Sequence, residues 1–154
     1  MKVKNKVIDF ANAMANTMVE YRKESISHCG LSCAVILAMA RRAGIKAQVA
    51  SCFIIEPQRE ILDNGHHFII LEDTYAFDLT LNQFFPRANV WPVLWELDCG
   101  AVKDIYGKYK IMKPSFEKKL LQSITDDGRD DIFMRFIARG VNLVEPKNRK
   151  VLAK

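Results

Sequence analysis

The segment from Cys29 to Ala43 constrains the fold most, because Leu31, Ala34, Val35, Leu37, Ala38 and Met39 leave this helical stretch apolar almost all round. A helix with no polar face has to lie inside the molecule, so the rest of the chain is expected to wrap it. Arg41 and Arg42 in its last turn and Gly44 just beyond predict its end. Its head, His28-Cys29-Gly30-Leu31-Ser32-Cys33, puts one cysteine at the helix start and another one turn deeper.

Around this helix the pattern is mixed. Val7, Phe10, Ala11, Met14, Met18 and Tyr21 recur at helical spacing and predict an amphipathic helix over 7–21. Lys46 to Ile55 alternates, with Ala47, Val49, Ser51, Phe53 and Ile55 on one face and Gln48, Ala50, Cys52 and Ile54 on the other, which is the signature of a strand. Strands over 67–71 and 74–78 follow, joined by a tight turn at Glu72-Asp73. Phe84 to Pro92, aromatic and proline-bearing, reads as irregular. Ser115 caps a helix carrying Phe116, Leu120, Leu121 and Ile124, and Ile132, Phe133, Phe136 and Ile137 predict a last helix ending at Gly140. The expected class is α+β: a central cysteine-bearing helix on a small antiparallel sheet, with further helices at both ends. At 154 residues, residues 1–140 are expected to form one domain and 141–154 a basic C-terminal tail.

Composition narrows the function classes. Hydrophobic residues at 49% and charged residues at 27% describe a globular chain. No stretch approaches the ~20 apolar residues of a membrane span, and no apolar signal region follows the basic N-terminus. The four cysteines, Cys29, Cys33, Cys52 and Cys99, lie in or beside apolar segments and are expected as thiols in a cytoplasmic protein. The net charge of +5 is not interleaved with aromatics in a patch, which argues against nucleic acid as a partner.

A thiol attacks as its thiolate, and a helix N-terminus beside an imidazolium favours that form. Cys29 has the helix-start position; Cys33 has the position of an inert structural thiol. The nucleophile needs a histidine within reach and a carboxylate to orient that histidine. With Glu72-Asp73 as a two-residue turn, His67 falls opposite Asp78 on the same face, whereas a three-residue turn is expected to put His66 there instead. The candidate triad is Cys29, His67 and Asp78, with His66 as the other candidate base and His28 as a loop residue. Thr80 and Gln83 are placed to orient Asp78. The backbone N–H of Cys29 is one expected oxyanion donor; no Gln or Asn within eight residues upstream supplies a second.

These residues resemble the papain-like superfamily in its transglutaminase-like branch. Cys29 is followed fifteen residues on by Gly44-Ile45, then by a strand, then by His67, and by Asp78-Leu79-Thr80, which is similar to the family's Asp-Pro-Thr. The family's His-x-Trp is His-His-Phe here, and the interval from His to Asp is short. The resemblance covers about a third of the chain and implies a papain-like core. It also implies thioacyl chemistry on protein or peptide amides without a cofactor: glutamine deamidation, transglutamination or proteolysis, as in bacterial effector and toxin domains of this type. Two other readings use the same residues. Cys29, Cys33 and His28 with His66 or His67 make a zinc site, or the fold is a non-catalytic binding module presenting the Phe84–Pro92 segment.

Overall fold

The computed structural model describes residues 2–20, 29–55, 65–81 and 93–126. Within them are four helices, α1 (Lys2–Glu20), α2 (Cys29–Arg42), α3 (Gly100–Tyr106) and α4 (Pro114–Asp126). The strands are β1 (Ala47–Phe53), β2 (Gly65–Leu71), β3 (Tyr75–Asp78), β4 (Val93–Glu96) and β5 (Lys110–Ile111), in one antiparallel sheet of order β4-β3-β2-β1-β5. The α+β class is therefore as expected. The expected last helix, the Phe84–Pro92 segment and the basic tail lie outside the described residues.

α2 is the buried helix its composition requires: Ala34, Val35, Leu37, Met39 and Ala40 have no exposure. It ends where Gly44 takes a left-handed φ of 72°, with Gly44 N–H donating to Arg41 O and Ile45 N–H to Ala40 O. That bond pair is the Schellman closure, which needs a residue without a Cβ penalty at Gly44. α1 begins five residues before the expected Val7 and lays Val7, Phe10, Ala11 and Met14 into the same core.

Both faces of the sheet are covered, which explains why its strands carry so few polar residues. On one face Val49, Ile69, Leu71, Tyr75, Phe77 and Leu94 pack with α1 and α2. On the other Ala50, Cys52, Phe68, Ile70, Ala76 and Trp95 pack with Val102 and Tyr106 of α3. β4, α3 and β5 have no counterpart among the expected elements.

The turn between β2 and β3 is not the two-residue hairpin expected. Glu72 and Asp73 do form a tight turn with φ of 52° and 54°, closed by Thr74 N–H on Leu71 O. Thr74 then stands as an additional residue, its carbonyl taken by Leu97 N–H, so that Tyr75 rather than Thr74 pairs with Leu71. Two left-handed non-glycine residues cost about 1–2 kcal/mol each. Lys46 offsets this: its carbonyl accepts Glu72 N–H, its N–H donates to the Glu72 carboxylate, and its Nζ meets Asp73 Oδ2 at 2.7 Å.

α4 starts at Pro114, so Ser115, expected as the cap, lies inside the first turn, where proline's missing N–H costs nothing. Glu117 in that turn is buried and fastens three elements. Its Oε1 meets Arg41 Nη2 of α2 at 2.7 Å, and its Oε2 accepts Val49 N–H of β1 at 3.0 Å. Glu117→Ala leaves Val49 N–H without its acceptor and is expected to cost about 1–3 kcal/mol. At roughly 2–4 °C per kcal/mol for a chain of this size, a thermal melt should show a clear drop. Glu117→Gln, which retains a carbonyl oxygen for Val49, should lose less.

Candidate functional site

The site is built at one end of the sheet, where β2 begins and β3 ends. Pairing between these strands runs from Leu71↔Tyr75 to Ile69↔Phe77. Extending that register puts Phe68 opposite Asp78, with His66 two residues away on the same face as its diagonal neighbour. The geometry corrects both expected pairings: His67 is not opposite Asp78, and the longer turn does not set His66 directly opposite either. It is nevertheless His66 that reaches the carboxylate, with Nε2 2.6 Å from Asp78 Oδ2. His67 points to the face covered by α1 and α2 and stacks on Phe116 of α4, ring centroids 5.4 Å apart.

His66 and Asp78 are both buried, at 0% and 2% exposure. Asp78 is surrounded by donors. Thr80 N–H donates to Oδ1 at 2.9 Å, and the Tyr106 hydroxyl donates to Oδ2 at 2.6 Å. Burial pushes the Asp78 carboxyl up, but the charge of His66 and the hydrogen bonds from His66, Tyr106 and Thr80 outweigh it and hold the group below its ordinary value. Tyr106 moves the opposite way. Burial first, then the Asp78 carboxylate, with lesser contributions from Cys52 and Cys33, raise its hydroxyl well above the usual range, so it stays a donor.

Tyr106 was not among the candidates. It is the last residue of α3, held by Phe68 stacked on it at 4.2 Å and Trp95 edge-on at 6.2 Å. Gly107 ends the helix at φ 61°, where a Cβ would come 2.6 Å from Ile55 Cδ1. Of the two residues expected to orient Asp78, Thr80 does so through its backbone N–H, and Gln83 lies outside the described residues.

Cys29 is the first residue of α2, as expected; its side chain lies outside what the structure describes. The fold brings the start of α2 to the His66 end of the sheet. Only four residues, 43–46, join the end of α2 to Ala47, which pairs with Leu71 at the far end. α2 and β1 have similar lengths, roughly 21 and 23 Å. The start of α2 therefore runs back towards Phe53 and Gly65, next to Cys52↔His66. α4 ties the same region together: a Cβ on Gly30 would lie 3.7 Å from Leu120 Cδ1, one turn from the Phe116 that stacks on His67.

With Nε2 turned to Asp78, Nδ1 is the other nitrogen of the His66 ring. Such a pair can take up a proton and hold the resulting imidazolium. Among the described residues no group of three His, Cys, Asp or Glu side chains is arranged to hold a metal ion. Among them, too, no helix is long and apolar enough to cross a membrane. No family model, no curated protein and no solved structure matches this chain.

Proposed function

We propose that this chain is a thiol enzyme of the transglutaminase-like kind, acting on protein or peptide amides with Cys29 as nucleophile, His66 as base and Asp78 as the carboxylate that orients His66. The observation that supports it most is the buried His66–Asp78 contact of 2.6 Å at the end of the sheet to which α2 returns its first turn. A carboxylate and an imidazole are costly to bury and are retained where both are used or both are fully paired.

In this reading Cys29 Sγ attacks the amide carbonyl as its proton passes to His66 Nδ1. The Cys29 N–H at the head of α2 donates to the developing oxyanion. His66 then gives the proton to the leaving amine, and a thioacyl intermediate remains. Water resolving it on a glutamine side chain makes the reaction a deamidation, and a lysine amine makes it a transglutamination. Attack on a backbone amide makes it a proteolysis.

The test is iodoacetamide labelling across pH with peptide mapping. Cys29 is expected to react selectively by about pH 6, where an ordinary thiol with a pKa near 8.5 is almost entirely protonated. Labelling of Cys29 that follows an ordinary thiol profile would remove the nucleophile from the proposal.

A further inference from the structure

We infer that Tyr106 is a positioning residue: its hydroxyl, donating to Asp78 Oδ2, keeps the proton of the Nε2···Oδ2 contact on His66, so that Nδ1 remains the basic nitrogen. The inference rests on the proposed role of His66 as base, but its central claim concerns where one proton sits and can be measured without a substrate.

A neutral imidazole carries one hydrogen, on one nitrogen or the other. If Asp78 is ionised, Nε2–H donates to it and Nδ1 has a lone pair with which to take a proton from a thiol. If the carboxyl instead takes up a proton from solvent, its O–H donates to Nε2, the ring's one hydrogen sits on Nδ1, and Nδ1 has nothing with which to accept. The dry surroundings of this pair favour the second, uncharged arrangement, because burial penalises the carboxylate. Donors aimed at Asp78 favour the first. Thr80 N–H satisfies Oδ1, but Oδ2, the oxygen at the histidine, depends on Tyr106.

Tyr106 is built for that one bond. It has no exposure, its ring is sandwiched by stacking on Phe68, and it lies within 3° of parallel to His66, with centroids 6.3 Å apart. Among the described residues, the titratable groups facing its hydroxyl are Asp78 of β3, Cys52 of β1 and Cys33 of α2, with His66 of β2 across the shared oxygen. Asp78 is the acceptor among them at hydrogen-bond distance, and a neutral phenol beside a carboxylate is a donor.

The experiment is nitrogen NMR of the His66 ring in Cys29→Ser protein, where no thiolate holds the ring as imidazolium, with and without Tyr106→Phe. The Nε2–H form is expected to dominate with Tyr106 present. Removing a hydrogen bond to a charged group should raise the Nδ1–H share relative to it by about tenfold or more. An unchanged tautomer ratio would overturn the inference. Should Tyr106→Phe fail to fold, the His66 ring in Cys29→Ser protein with Tyr106 intact decides: a dominant Nε2–H form at neutral pH supports the inference, and a dominant Nδ1–H form overturns it. In the chain with Cys29 intact, Tyr106→Phe should also slow Cys29 alkylation at pH 6. Ordinary alkylation of Cys29 before any substitution would instead sink the thiol-enzyme proposal, while the tautomer result stands on its own.

Discussion

His66→Ala is expected to move the midpoint of Cys29 alkylation from below about pH 6 up to near the ordinary thiol value of 8.5, while His67→Ala leaves the midpoint where it is. At pH 6 the thiolate fraction falls about 300-fold on such a shift. The rate falls less, about tenfold, because a more basic thiolate is intrinsically the better nucleophile. The midpoint is therefore the quantity to read. His67 makes its ring contact with Phe116 on the face covered by α1 and α2, whereas His66 holds Asp78 at 2.6 Å on the face covered by α3. His66→Gln separates chemistry from packing. Its side-chain amide can still donate towards Asp78, so the fold should survive, but it cannot take a proton. A midpoint that follows His67 instead would mean that Cys29 acts on the face against which α2 packs rather than round the end of the sheet at His66.

The choice between the two histidines shows where sequence stops carrying the site. α2 was legible because an apolar surface all round and the run Arg41-Arg42-Ala43-Gly44 are local signals, and β1 because its alternation persists for seven residues. The β2–β3 register was not legible, since it depends on Thr74 being drawn out of the ladder by Leu97 and on Lys46 anchoring the turn, both distant in sequence. One extra residue was enough to change which histidine meets Asp78. β4, α3 and β5 are four, seven and two residues long, too short for a period to declare itself. Tyr106 was lost with them. Val102 and Tyr106 at helical spacing, followed by Gly107, were the available trace of a helix end there, with nothing to say that the tyrosine faces a carboxylate. Thr80 was legible where Tyr106 was not, because it follows Asp78 by two residues and its backbone N–H reaches the carboxylate locally.

Asp78→Ala is expected to be the most destabilising single change at the site, at about 3–5 kcal/mol, since it strands a buried histidine, a buried tyrosine hydroxyl and the Thr80 N–H together. That corresponds to a melting temperature lower by roughly 10 °C. Asp78→Asn gives the sharper result. Its carbonyl oxygen still accepts from Thr80 or Tyr106, so much of the stability should remain, but its amide donates to His66 Nε2 and drives the ring hydrogen to Nδ1. Cys29 should then alkylate as an ordinary thiol in a protein that is folded. The acid side separates the charge from the shape. Asp78 in the folded chain sits below its ordinary value, so between the unfolded value near 3.9 and the lower folded one the unfolded chain binds more protons. Its contribution is therefore fully present above about pH 5 and is lost as pH falls through the folded value. Melts of the unsubstituted chain and of Asp78→Asn should differ most near neutrality and converge as the solution is made acidic. A gap that stays constant down to about pH 2 would mean that the ionised carboxylate contributes nothing that an amide does not.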